Sequence, residues 1–360
     1  MTEYPEGKKP AEPIVITLDD LGPEEPLKAA ASSESIKQYP GLKEMPVNSV
    51  SVTAKSGFAQ FGGSQAKQNA LFGLIGGVLA WLINGMVFGF GERQSMGQAL
   101  LVTSGLLFGI ISSFIGASLG AADGITSKVQ EKAIKNGLTG LFIGFVGGLI
   151  GGVIGQLLYS YMLGGWTSHS MTKQVFARTT GWALVGIFIG IAQGISGFQS
   201  RKIVNGLIGG FVGGAIGGIC FDAIGSIFSG GSVSRLFGIM AMGTATGWAI
   251  GLVEETRKEA WLRVVEGPQD GKQFIIYGAV TRVGSSPKCE IVLVKDVNVV
   301  PEHFRIIAEP GGYKIEVCGG PSVLVNGQPA TWARLRKGDI ISIGLSRLVF
   351  EDREVVIAAR

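Results

Sequence analysis

The sequence predicts a polytopic α-helical membrane domain, six transmembrane helices in three tandem glycine-zipper hairpin repeats, followed by a carboxy-terminal all-β sandwich. Three observations carry this prediction. Six apolar stretches of about twenty residues, the length that crosses a bilayer, fall near 69–90, 98–122, 137–163, 179–198, 204–228 and 233–253. Paired glycines recur every four residues from Gly209 to Gly218, with no charge between Lys202 and Asp222. After Lys258 the chain changes to short alternating runs broken by Gly, Pro, Asn and Asp.

The expected order is a disordered cytoplasmic tail at 1–65, a six-helix domain at 66–256 and a sandwich at 257–360. The tail holds seven of the thirteen prolines and mixes Lys, Glu and Ser without periodicity. Such a segment buries too little apolar surface to offset its ordering entropy. One island, Pro13 to Leu21, is either a chance apolar cluster or a short docking strand for a partner's sheet edge. Within it, Thr17 with Asp20 three residues on resembles a phosphothreonine ligand motif.

In a water-soluble helix each interior glycine costs roughly 1 kcal/mol relative to alanine. In lipid the backbone must satisfy its own hydrogen bonds, so the helix persists and glycine becomes a packing surface. The expected packing glycines are Gly144, Gly147, Gly148 and Gly151, with Gly210, Gly213, Gly214 and Gly217. They are read as flat grooves admitting a neighbouring backbone.

The spans also repeat. Asn69-Ala70-Leu71, Asn136-Gly137-Leu138 and Asn205-Gly206-Leu207 each open a span, and each is followed by Gly-Gly at 76, 147 and 213. This divides the domain into hairpins at about 66–134, 135–202 and 203–256. Two spans per unit make the repeats parallel, which suggests a pseudo-threefold bundle. Lys55, Lys67, Lys128, Lys132, Lys135, Arg201, Lys202, Arg257, Lys258 and Arg263 lie on the side of both termini. The opposite loops carry only Arg93, Lys173, Arg178 and Arg235. The positive-inside rule then predicts a multi-pass protein of the plasma (inner) membrane with both termini cytoplasmic.

Polar residues inside the spans have two readings. Asn84, Gln156 and Asp222 occupy similar places in the three repeats. They form either a polar ring lining a pore or small-ion site, or hydrogen bonds between helices near the interface. Asp123, Glu254 and Glu255 fall at span ends and read as solvated. The net charge of +4 is too small and dispersed for a nucleic-acid partner. Cys220, Cys289 and Cys318 have no metal-ligand spacing, and neither do His169 and His303. No nucleophile–base pair, metal cluster or cofactor loop stands out, so the sequence predicts neither an enzyme nor a cofactor or metal.

The last quarter of the chain resembles the forkhead-associated (FHA) family. The resemblance rests on Leu262 to Gly267, Val283-Gly284-Ser285-Ser286, Val299-Val300-Pro301-Glu302-His303-Phe304, Val325-Asn326-Gly327 and Leu335 to Gly344. It implies an all-β sandwich that binds protein partners through its loops, with Ser285, Ser286, Asn298, Val300, His303 and Asn326 on that face. The family places Arg where Ser285 stands, Ser-Arg where Val300-Pro301 stand, and Asn-Gly-Thr where Pro321, Ser322 and Val323 stand. An anion site needs those guanidinium, amide and hydroxyl donors. The resemblance therefore implies a phosphate-independent contact, with His303 bracing the loops.

The function expected is a membrane scaffold presenting an FHA-like domain and a tail to cytoplasmic protein partners. Its partners are the lipid bilayer and those proteins, and a homo-oligomer is compatible with it. The alternatives are a channel or small-solute pathway regulated by the FHA-like domain, and a receiver whose phosphorylated Thr17 is captured by another FHA domain.

Overall fold

The computed structural model describes residues 65–89, 98–162, 164, 171–195, 199–227 and 231–353. Thr17, Asp20 and the rest of the expected tail up to residue 64 lie outside them. Six helices come first: α1 (Gln65–Phe88), α2 (Gln98–Thr126), α3 (Gln130–Met162), α4 (Met171–Ile195), α5 (Ser200–Ile227) and α6 (Gly231–Arg257). All six are long and apolar enough to cross a membrane.

The helices close a ring in chain order, with α6 returning to α1. The most extensive pairings are α2 with α3, α4 with α5, and α6 with α1. Each joins two expected hairpins rather than the two arms of one. The glycines explain this. In α5, Gly206, Gly210 and Gly214 meet the α4 backbone at Gly190, Gly186 and Trp182, whereas Gly209, Gly213 and Gly217 meet α6 at Ile250, Thr246 and Met242. In α3, Gly144 and Gly148 face Ser112 and Phe108 of α2, while Gly147 and Gly151 face Phe188 of α4. Adjacent helical residues point about 100° apart. A glycine pair therefore makes two stripes for two different neighbours, not one flat groove.

Large side chains are distributed in the opposite sense. Ile111, Ile115 and Leu119 of α2, Val185 and Ile189 of α4, and Met242 and Ile250 of α6 form one buried cluster. The glycine-rich helices turn Leu71, Leu138, Phe142, Ile150, Phe211 and Ile219 outward.

Eleven strands follow: β1 (Ala260–Glu266), β2 (Gln273–Ile276), β3 (Val280–Gly284), β4 (Ile291–Val292), β5 (Phe304–Glu309), β6 (Gly312–Val317), β7 (Val323–Val325), β8 (Gln328–Ala330), β9 (Trp332–Leu335), β10 (Ile340–Ile343) and β11 (Ser346–Asp352). One sheet has the order β2-β1-β11-β10-β7-β8, the other β4-β3-β5-β6-β9. All pairings are antiparallel except β3 with β4. Leu262, Val283, Phe304, Ile306, Ile315, Val323, Ile341, Leu348 and Phe350 fill the space between the sheets. Strands β8 and β9 are additional to the alternating runs read in the sequence. Gln328 and Pro329 are exposed, and Pro329 sits on an edge strand where its missing N–H costs no ladder bond.

Candidate functional site

The loops between β3 and β4, β4 and β5, and β6 and β7 meet around one imidazole. His303 is fully buried. Its Nδ1 accepts from the Val300 N–H at 3.2 Å, so Nε2 carries the proton and donates to the Pro321 carbonyl at 2.9 Å. The backbone carbonyl of His303 accepts from the N–H of Cys318 at 2.9 Å. One residue thus fixes two neighbouring loops.

The β3–β4 loop joins them through its backbone. The N–H groups of Ser285 and Ser286 donate to the carbonyls of Val300 and Pro301 at 3.0 and 3.1 Å. Gly284 is required there, because a Cβ would overlap the Pro301 carbonyl. Ser286 Oγ accepts from the Lys288 N–H at 3.3 Å. Val297, Pro301 and Pro321 are exposed on these loops, Val297 at 94%. These loops thus expose apolar side chains, with Ser285 and Ser286 half-buried among them.

Asn298 and Asn326 serve their own turns. The Asn298 N–H donates to Asp296 Oδ1 at 3.2 Å, and buried Asp296 also accepts from the Leu345 N–H at 2.7 Å and the Ser346 hydroxyl at 3.1 Å. Asn326 and Gly327 have φ of 54° and 80°, which shapes the tight β7–β8 turn. Asn326 Nδ2 donates to Asp339 at 2.9 Å and its Oδ1 accepts from the Ile340 N–H at 2.9 Å.

The three polar residues of the helices have separate partners. Asn84 Nδ2 donates to the Ala80 carbonyl at 3.0 Å, Gln156 Oε1 accepts from Ser104 at 3.3 Å, and Asp222 pairs with Arg178. Gln156 and Arg178 line a common cavity of about 420 Å³ with Tyr159, Trp182 and Phe221. Asn84 is not among its lining residues.

A further cluster, where the sandwich meets the helix ends, was not singled out by the sequence. Lys272 Nζ donates to Thr126 Oγ1 at 2.7 Å, and Gln269 Nε2 to the Ser127 carbonyl at 2.9 Å. Lys132 Nζ donates to the Glu290 carbonyl at 2.8 Å. Val129 packs against Cys289 and Val292. Below them Lys202 pairs with Asp123 at 2.6 Å. Glu254, expected to be solvated, is buried; Asn69 Nδ2 donates to it at 3.3 Å and Tyr277 hydrogen-bonds it. Burial, followed by the nearby Glu254 carboxylate, pushes the Tyr277 phenol well above its ordinary range. Burial lowers the Lys272 ammonium to about 8; Asp123 opposes this, while Lys132 and Lys202 add to it.

Comparison with known proteins converges on the sandwich. A family model described as the cytoplasmic domain of the inner membrane component of T3SS matches residues 263–354. The glycogen accumulation regulator GarA of Mycolicibacterium smegmatis is 32% identical over 126 residues, 35% of this chain and 78% of that protein. GarA of Mycobacterium tuberculosis is 35% identical over 92 residues, 25% of this chain and 56% of that protein. Among solved structures, the FHA domain of the CT664 protein from Chlamydia trachomatis is 24% identical. It matches 27% of this chain and 99% of its own, with a TM-score of 0.25. The FHA domain of an Arabidopsis thaliana hypothetical protein is 26% identical over 28% of this chain and 92% of its own, also at 0.25. Through its carboxy-terminal sandwich, the chain belongs to the forkhead-associated (FHA) family.

Proposed function

We propose that the protein is a membrane-anchored adaptor whose six helices hold an FHA domain at the cytoplasmic surface of an inner membrane. There the domain gathers a protein partner without requiring phosphate. The observation that carries the reading is the loop face. The family's positions for phosphate donors hold Ser285, Val300, Pro301, Pro321, Ser322 and Val323, on loops that also expose Val297. A phosphate placed there would lose its water without the guanidinium the family supplies, whereas an apolar side chain would gain by burial.

The exposed Leu, Ile and Phe of α1, α3 and α5 support insertion in lipid. The equivalent approaches of Gly116 to Gly140, Gly186 to Gly210 and Gly243 to Gly73 support three tandem repeats packed through glycine. The lysines at the sandwich end of the helices support cytoplasmic termini. The domain is a binding module in this reading and not an enzyme.

The channel reading has less support, because the even-numbered helices contribute a cluster of bulky buried side chains rather than a hydrated path. Partners of the amino-terminal tail, capture of phosphorylated Thr17 and self-association remain compatible with the adaptor.

The test is retention of cytoplasmic proteins by the full-length chain in nanodiscs. Val297→Asp with Val300→Asp should reduce retention of the specific partner at least about tenfold. Undiminished retention by that variant would contradict the reading.

A further inference from the structure

Between α1, the end of α2 and the β1–β2 turn lies a cavity of about 440 Å³. Four lysines from four separate segments line it: Lys67 at the start of α1, Lys128 after α2, Lys258 after α6 and Lys272 on the β1–β2 turn. Glu255 and Asp270 are the acidic lining residues, so the wall carries an excess of two positive charges. Glu255 Oε1 accepts from the Ala66 N–H at 3.2 Å, and its carboxylate faces Lys258.

The chain topology brings these four lysines to one cavity. Lys128 holds a left-handed conformation, φ 60°, at the helix end. Lys258 Nζ lies 4.1 Å above the Trp261 ring and donates to Gln273 at 3.3 Å. Lys272 Nζ is fixed on Thr126. Burial depresses its ammonium to about 8; Asp123 opposes this in part, while Lys132 and Lys202 add to it, and a further anion in the cavity would favour the charged form.

One wall of the cavity is apolar, formed by Leu71 and Phe72. Leu71 is 51% exposed and lies one turn beyond Lys67. It opens an outward stripe that continues through Ile75 and Leu79, four residues apart. A cationic cradle standing directly over a lipid-facing stripe matches a molecule with an anionic head and an apolar tail.

We propose that this cavity holds the phosphate headgroup of an anionic phospholipid, whose acyl chains run along Leu71, Ile75 and Leu79. This rests on the membrane reading above. The bound lipid bridges the helices and the sandwich, since Lys67 and Lys128 belong to the first and Lys272 to the second. The same phosphate chemistry could come from a soluble ion, but an ion would make no use of the apolar wall.

The experiment uses the full-length chain reconstituted in phosphatidylcholine nanodiscs with graded phosphatidylglycerol, and counts retained lipid by native mass spectrometry. Lys67→Gln with Lys128→Asn should weaken phosphatidylglycerol retention by about tenfold or more and leave phosphatidylcholine unchanged. Lys67→Arg with Lys128→Arg should retain it. Equal retention by the charge-removed variant and the parent would overturn the proposal. A parallel titration with inorganic phosphate in detergent separates the two sources. Phosphate alone binding with the same lysine dependence, and displacing the lipid, would overturn the lipid assignment. Failure of the membrane reading shows separately, as release of the chain from liposomes by alkaline carbonate before any lipid is counted.

Discussion

Lys272 of the sandwich donates to the Thr126 hydroxyl of α2 at 2.7 Å, across 146 residues of chain. This bond, with Gln269 on Ser127 and Lys132 on Glu290, makes the FHA domain part of the helix assembly rather than a tethered module. The β3–β4 loop shares in the contact through Cys289 packed on Val129. A partner engaging Ser285 and Ser286 therefore touches a loop that is itself seated on the helices.

Lys272 gives this joint a pH dependence. Its folded value near 8 lies below the ordinary lysine value of 10.5, so between those limits the undocked state binds more protons. Docking should strengthen as pH rises through that window and be weakest below about 8. Hydrogen exchange of the 126–132 turn should fall from pH 7.5 to pH 10, after correction for intrinsic exchange. Lys272→Met should flatten the difference.

The glycine stripes predict an asymmetric substitution series. A Cβ at Gly190 would overlap the Gly206 carbonyl, whereas one at Gly225 meets only Ser234 Oγ at 3.9 Å. Gly190→Ala should cost about 3 kcal/mol through forced separation of α4 and α5. Gly225→Ala should be neutral or stabilise by up to about 1 kcal/mol. Thermal unfolding of the detergent-solubilised chain distinguishes the two.

Loss of the His303 ring should leave the Val300 N–H and the Pro321 carbonyl unpaired inside the loop cluster. His303→Ala should cost about 2–4 kcal/mol. It should raise hydrogen exchange across 318–322 with little change in the sheets.

Arg178 and Asp222 test the polar sites of the helices. Arg178→Met should destabilise, but by less than the about 3–5 kcal/mol of a fully buried pair, because the Arg178 side chain is 42% exposed. Adding Asp222→Leu should recover part of that loss. Ion flux through proteoliposomes should stay at background for the parent, Asp222→Asn and Gln156→Leu alike. Flux in the parent that changes with either substitution would favour a pore.

Much of the fold was legible because its signals are local. Twenty-residue apolar spans and the Val325-Asn326-Gly327 turn need no distant partner to be recognised. The edge strands β8 and β9 were not, since Gln328, Pro329 and Trp332 are exposed and leave no buried alternation to read. The glycine pairs were visible, but their division between two neighbours is set by the packing and not by the spacing. The joint was hidden for a similar reason. Glu254 at a span end looks solvated until Asn69, 185 residues away, is brought against it. Of the loop-face residues the sequence offered, Ser285, Ser286 and Val300 meet in the loops braced by His303, whereas Asn298 and Asn326 serve their own turns. Nothing in the sequence indicated that Asp296 anchors the same loop to Leu345 and Ser346.

The central claim is a protein contact that needs no phosphate. It is tested most directly by titrating the full-length chain in nanodiscs with phosphothreonine peptides, including one spanning Thr17, against their unphosphorylated forms. The account predicts affinities that differ by less than about twofold between each pair. Tight binding that depends on the phosphate would contradict it, and would place a working anion site where Ser285, Val300 and Pro301 stand.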